Sequence, residues 1–92
     1  MENSYVYIMT NKHRTTFYIG VTSNLSKRVV ERQMGNGSKS TKKYNLVELI
    51  YYETYSDIEQ AIEREKQLKN WLHEWKINLI KKTNPKLKTL DY

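Results

Sequence analysis

Two short runs of aromatic and β-branched residues near the N-terminus constrain the fold most strongly. Residues 5–9 and 16–22 each have the composition and length of a β-strand. The polar segment 11–14 between them has the composition of a turn. The spacing therefore predicts a β-hairpin at the start of the chain.

A helix and a third strand follow the hairpin. Asn24 stands directly before Leu25 and Val29, whose helical spacing predicts a helix capped by Asn24 that ends near Gly35. After a polar loop, residues 46–55 return to strand composition.

Two more helices are predicted in the second half. Ser56 fits the first position of a capping box, and apolar spacing continues from it to about residue 69. The spacing resumes after a bend near residue 70, where Trp71 and Trp75 are expected in the core. The predicted order is ββαβαα, in a single domain over residues 1–92.

Composition narrows the classes of function. The chain has 92 residues and no cysteine, which excludes disulfides, thiolate zinc sites and a cysteine nucleophile. Its 16 Lys and Arg outnumber its 10 Asp and Glu, and residues 1–46 hold the whole net charge of +6. A polyanion such as nucleic acid is therefore the first expected partner. No segment has the length or pattern of a membrane span or secretory leader, so we expect a cytoplasmic protein.

One carboxylate stands in the apolar stripe of the helix that begins near Ser56. Glu65 lies between Ile62 and Leu68, where a core helix would carry leucine. An ionised carboxylate at such a position needs a cation or must reach solvent. Two interpretations stay open: Glu65 is a metal ligand, or it is a structural ion-pair or rim residue.

Two arginines share the apolar stripe of the first helix. Leu25, Arg28, Val29 and Arg32 fall at i, i+3, i+4 and i+7. Either the arginine stems cover apolar surface while their charged ends reach water, or the guanidinium groups bind phosphate. The phosphate interpretation is stronger for Arg28, which lies one helical turn after a strand end that bears glycine.

The loop and the hairpin add further candidates. Lys39, Lys42 and Lys43 form the natural phosphate-contacting segment, although such a charge run can simply be solvated. Gly20 lies inside the second predicted strand, and a glycine there marks either a bulge or a place where another group approaches the backbone.

These residues together resemble the GIY-YIG nuclease superfamily, and in particular its small, single-domain, largely uncharacterised bacterial branch. The resemblance covers nearly the whole chain and rests on an ordered set of motifs: Tyr5-Val6-Tyr7, Tyr18-Ile19-Gly20, Arg28, Tyr51-Tyr52-Glu53, Glu65 and Asn84-Pro85. It implies an α/β (α+β) domain with a three-stranded, mainly antiparallel sheet flanked by helices. That architecture agrees with the order ββαβαα.

The resemblance also implies a chemistry. Members of the superfamily hold one divalent cation, usually magnesium or manganese, on a helix glutamate that corresponds to Glu65. The arginine corresponding to Arg28 neutralises charge on the phosphate, and one of two tyrosines, which correspond to Tyr7 and Tyr18, deprotonates or orients the attacking water. The role is assigned to the tyrosine pair, because the member that performs it varies across the superfamily.

The chain departs from the superfamily pattern in places. Many members carry histidine, and others tyrosine, at the position of Arg32. Because a guanidinium group cannot accept a proton, base catalysis from this position is excluded, although Arg32 can still bind a phosphate. Asn84 is the nearest candidate for an asparagine found near the end of the motif.

The leading hypothesis is a metal-dependent endonuclease with DNA as the first expected substrate. One alternative is a catalytically impaired nucleic-acid-binding module of the same fold. Another is a protein-binding domain in which Arg28 and Glu65 form a structural ion pair. A homodimer or a protein partner stays open.

Overall fold

The computed structural model describes residues 3–35 and 44–90. Its elements are β1 (Ser4–Thr10), β2 (Phe17–Thr22), α1 (Leu25–Gln33), β3 (Glu48–Tyr55), α2 (Ile58–Lys69) and α3 (His73–Lys81). The predicted order ββαβαα is therefore confirmed for the described parts of the chain.

The strands form one antiparallel sheet in the order β2-β1-β3. Strand β2 is consequently an edge strand, and the hairpin register places Tyr7 opposite Gly20. Pairing of β1 with β3 shifts between Ile8 and Met9, which marks a β-bulge. The side-chain oxygen of Asn11 closes the hairpin turn by accepting a hydrogen bond of 2.9 Å from the Thr15 N–H.

Helices cover both faces of the sheet. One face packs against α2 and α3, and the buried residues of that cluster are Val6, Ile8, Ile19, Ile50, Tyr51, Ala61, Leu68 and Ile80. The other face packs against α1, and its buried residues are Tyr7, Met9, Leu25, Val29 and Leu49. Because side chains alternate along a strand, the hairpin serves both clusters at once.

The helix ends follow local hydrogen-bonding rules, with one correction. Asn24 caps α1 as predicted, since its side chain accepts from the Lys27 N–H at 3.1 Å. The cap of α2 is Asp57, which accepts from the Glu59 N–H at 3.0 Å, so the predicted capping box on Ser56 is wrong. Along the described parts of the chain, no helix has the length and apolar composition needed to cross a membrane.

The apolar stripe of α2 is narrower than predicted. Ala61 and Leu68 are buried, whereas Ile58 and Ile62 are 45% and 39% exposed. The prediction of a core position for Trp75 is wrong as well, because this side chain is 51% exposed. The side chains of α2 that point directly at the sheet are buried, and the apolar side chains on the flanks of the helix stay in solvent.

A polar cluster joins α2 to β3. The Glu53 carboxylate accepts hydrogen bonds from Tyr51 and Tyr55 and a bidentate pair from Arg64, whose Nε and Nη2 lie 2.9 and 3.1 Å from its two oxygens. Burial raises the pKa of Glu53, but these donors outweigh it and hold the pKa below the ordinary value of 4.5. The cluster fixes the position of α2 over the sheet.

This cluster predicts an acid-sensitive contribution to stability. Since the folded-state pKa of Glu53 is below its unfolded value, its contribution is present above about pH 4.5 and is lost as the pH falls. We expect Glu53→Gln to lower the free energy of unfolding by about 1.5–3 kcal/mol at pH 7. We also expect the free energy of unfolding to fall less between pH 7 and pH 3 in the variant than in the wild type. Urea denaturation at each pH measures this difference. Glu63→Gln, at an exposed position of α2, is the control, and an unchanged acid dependence of Glu53→Gln would contradict the prediction.

Candidate active site

The site begins with a close approach between the two strands of the hairpin. Tyr7 is 0% exposed, and its ring lies over Gly20, with which it pairs across the strands. A Cβ atom at position 20 would lie 2.5 Å from the Tyr7 hydroxyl oxygen. The interpretation that Gly20 admits another group to the backbone is therefore confirmed, and the group is the Tyr7 phenol.

A buried arginine joins the two motif tyrosines. Arg32 Nη2 donates to the Tyr18 hydroxyl at 3.1 Å and to the Tyr7 hydroxyl at 3.4 Å. The Arg32 guanidinium carbon also lies 4.8 Å from the centre of the Tyr18 ring. Arg32 is 7% exposed, so the interpretation in which its charged end reaches water is wrong.

Burial and charge oppose each other at Tyr7. Burial raises the pKa of the Tyr7 phenol, and the hydrogen bond and charge of Arg32, with the charge of Arg28, only partly offset this rise. Tyr7 is consequently protonated at neutral pH. Tyr18 is only half-buried, so it is the tyrosine of the pair that reaches solvent.

Arg28 lies one helical turn before Arg32 and faces open space. Its side chain is 39% exposed, and its Nε, which is buried, makes no hydrogen bond among the described residues. Arg28 forms an ion pair with Glu31, whose carboxylate lies 3.8 Å from the Nε. Arg28 lines two adjoining clefts of about 640 and 450 Å³ where β2 ends, next to Thr22 and Ser23. Its guanidinium group is thus available to an anion.

Glu65 comes from the other face of the sheet. It lies on α2 between the buried residues Ala61 and Leu68, its side chain is 21% exposed, and Lys69 Nζ lies 3.4 Å from its carboxylate. Glu65 therefore lies at the edge of the apolar stripe, where its carboxylate meets Lys69 and reaches solvent, and its role as a metal ligand stays a prediction. Because Arg28 pairs with Glu31 and Glu65 with Lys69, the predicted alternative of an Arg28–Glu65 ion pair is wrong.

Glu65 is the candidate metal-binding carboxylate of this site. Within residues 3–35 and 44–90, no group of three or more His, Cys, Asp or Glu side chains comes together. Magnesium needs no such group, since it is commonly held by one or two carboxylates with water and substrate phosphate as the other ligands. The partly exposed carboxylate of Glu65 fits a hydrated magnesium or manganese ion and does not fit structural zinc.

Two sets of predicted residues lie elsewhere. Lys39, Lys42 and Lys43 fall outside the described residues. Asn84 is buried under the C-terminal tail, where it bonds the Ile50 carbonyl and both backbone groups of Lys88. Its contacts are those of a structural residue.

The contact between Arg32 and the two tyrosines was not predicted from the sequence. The signal was present, because Arg32 follows Leu25 by seven residues and Val29 by three, which places it on the buried face of α1. A cation on such a face needs buried acceptors, and hydroxyl groups supply them here. The sequence does not reveal that the acceptors come from both arms of the hairpin.

The structure is thus a small α+β domain with a tyrosine–arginine centre and two open clefts lined by Arg28 one helical turn away. The family model described as the GIY-YIG catalytic domain matches residues 3–78, and the chain belongs to this family. Membership indicates nuclease chemistry and nucleic-acid binding in general.

Relatives and a solved structure agree with this assignment. UPF0213 proteins of Staphylococcus epidermidis and Staphylococcus haemolyticus are 32% and 34% identical over 80 residues, which is 87% of this chain and 96% of theirs. A UPF0213 protein of Staphylococcus aureus is 32% identical over 81 residues, covering 88% of this chain and 98% of its own. The solution NMR structure of a UPF0213 protein from Bacillus halodurans matches with a TM-score of 0.59 and 25% identity, over 91% of this chain and 88% of that one. The predicted three-stranded α+β architecture is confirmed.

Proposed function

We propose that this protein is a metal-dependent endonuclease that hydrolyses phosphodiester bonds, with DNA as its first expected substrate. The observation that carries the proposal is the convergence of both motif phenols on the Arg32 guanidinium group, one helical turn from Arg28. Of these groups, the half-buried Tyr18 hydroxyl and the partly exposed Arg28 reach solvent, which suits an attacking water and an anionic phosphate, while Tyr7 and Arg32 support them from the interior.

Tyr18 is the tyrosine that acts on the water. Tyr7 is fully buried and its phenol stays protonated, so it cannot accept a proton from a solvent molecule. Tyr18 is half-buried, and its hydroxyl oxygen accepts a hydrogen bond of 3.1 Å from the Arg32 guanidinium group, which holds the phenol in place at the edge of solvent. Tyr7 and Arg32 therefore position Tyr18, and Tyr18 orients the water or takes its proton.

Arg28 and Glu65 provide the charges that the phosphate needs. Arg28, whose side chain is 39% exposed and lines the two clefts, binds the phosphate and neutralises the charge that develops on it. Glu65 would hold the divalent cation. When bound, the cation supplies Lewis-acid polarisation of the phosphate and stabilisation of the leaving oxygen.

Metal-dependent cleavage tests the proposal directly. The purified protein is incubated with labelled single-stranded, duplex and branched DNA and with RNA, in magnesium, in manganese and in excess EDTA. We expect divalent-dependent cleavage of DNA that EDTA abolishes. If no substrate is cut with either metal, the catalytic proposal fails.

Two observations favour a second candidate, a nucleic-acid-binding module without catalysis. Position 32 carries a group that cannot accept a proton, and Tyr7 is held in its protonated form. Such a module would bind nucleic acid with strong salt dependence, in EDTA as well as in magnesium, and would cut nothing. The same set of assays distinguishes the two candidates.

A further inference from the structure

Another cleft, apart from the two that Arg28 lines, opens beside Tyr18. It has a volume of about 300 Å³ and lies where β2 meets the end of α2 and the middle of α3. Tyr18 and Phe17 line it from the strand, and Lys69 and Lys76 line it from the helices. Among the described residues, no acidic side chain lines this cleft.

The two lysines give the cleft a positive charge that the protein only partly neutralises. Lys69 Nζ pairs with Glu65 at 3.4 Å, and its side chain is 53% exposed. Lys76 is half-buried and takes part in none of the ion pairs found in the described residues. An ammonium group held partly out of water without a carboxylate favours binding of an anion.

Three aromatic rings form part of the remaining wall, beside Thr16, Ile19 and Leu46. Phe17, Tyr18 and Tyr44 line the cleft, and Phe17 stacks on His73 with ring centres 4.7 Å apart and planes 10° apart. Aromatic rings next to lysines are the combination with which proteins hold a nucleic-acid strand, because bases stack on the rings and phosphates meet the ammonium groups. The volume is at the low end of the range of about 300–1,000 Å³ for small-molecule sites, which suits one nucleotide.

We propose that this cleft binds the nucleotide next to the reacting phosphate in a nucleic-acid strand, with Lys76 and Lys69 on its phosphate. Tyr18 belongs both to the cleft and to the tyrosine–arginine centre, so a strand lying in the cleft is continuous with the site. The position relative to the reacting phosphate rests on the proposed function, whereas strand binding by the cleft does not require cleavage.

Binding of a fluorescent 12-nucleotide single-stranded DNA in EDTA tests the proposal. We compare Lys76→Gln with Lys81→Gln, an exposed lysine on the same helix, so that both variants lose one positive charge. We expect Lys76→Gln to weaken binding about tenfold relative to Lys81→Gln. The slope of log affinity against log salt should also fall by about 0.7 more in Lys76→Gln, as one lost phosphate contact on a single strand requires.

Each result then decides a separate question. Equal binding by the two variants, with unchanged thermal unfolding, overturns the cleft proposal even if the protein cleaves DNA. Selective weakening by Lys76→Gln supports it even if no cleavage is found and the catalytic proposal fails. If deoxyadenosine monophosphate competes as tightly as the 12-nucleotide strand, the cleft is a free-nucleotide site and the strand proposal is overturned.

Discussion

Replacing Glu65 by glutamine is expected to lower the rate of DNA cleavage by about 10³-fold while the domain stays folded. Glutamine keeps the shape of the side chain but removes the negative charge that a divalent cation requires. The cost to stability should be below about 1 kcal/mol, because the ion pair of Glu65 with Lys69 is partly exposed and spans a single helical turn. The measurement is kcat in saturating magnesium, with urea denaturation of the same preparation.

Glu63→Gln is the matched control for this experiment. Glu63 lies on the same helix, is exposed, and loses the same charge on substitution. We expect its kcat to stay within about twofold of the wild type, as for surface changes away from a site. A Glu65→Gln variant that kept a wild-type rate would remove Glu65 from the catalytic machinery and with it the proposed metal site.

The order of elements could be predicted from the sequence because each element carries its own local signal. Strand runs of β-branched and aromatic residues marked the hairpin, and a side chain that caps a helix marked the start of α1 at Asn24. The signal at α2 was ambiguous, since both Ser56 and Asp57 can cap a helix. The structure selects Asp57, whose side chain accepts a hydrogen bond from the Glu59 N–H.

The candidate site could be predicted only in part, because its residues meet through tertiary packing. The anomaly at Glu65 was visible, since a carboxylate interrupts an apolar pattern. The contact between Arg32 and the phenols of Tyr7 and Tyr18 was not visible, because it depends on the register of the hairpin and on Gly20, which leaves room for Tyr7. The exposure of Trp75 was equally hidden, since helical spacing does not distinguish the flank of a packed helix from its centre.

A buried amide is one of the groups that hold the C-terminal segment, beside the Leu90 N–H bond to the Leu49 carbonyl and the Arg14 bond to the Leu87 carbonyl. Asn84 Nδ2 donates to the carbonyl oxygens of Ile50 and Lys88, at 3.0 and 2.7 Å, and its Oδ1 accepts from the Lys88 N–H at 3.0 Å. Asn84 is 7% exposed, so water cannot easily replace these bonds. The amide therefore links the C-terminal segment to β3. A carboxamide has the two N–H donors and the carbonyl acceptor that these three partners require.

Asn84→Asp is accordingly expected to lower the free energy of unfolding by about 3–5 kcal/mol at pH 7. The introduced carboxylate has the size of the amide, but it would face two carbonyl oxygens with no proton to donate. Because the native environment disfavours its charged form, its folded pKa lies above the unfolded value of about 3.9. The loss relative to the wild type should therefore grow as the pH rises from about 4, opposite to the pH dependence expected for the contribution of Glu53.

Urea denaturation of wild type and variant between pH 3.5 and 7 measures this difference at each pH. Asn78→Asp, at an exposed position of α3, is the control for the added charge and should change stability by less than about 0.5 kcal/mol. If Asn84→Asp stays within about 1 kcal/mol of the wild type at pH 7, the amide is not the structural tie that its hydrogen bonds indicate. A stable Asn84→Asp variant that lost only cleavage would instead place Asn84 in the catalytic site, at the asparagine position of the superfamily motif for which it is the nearest candidate.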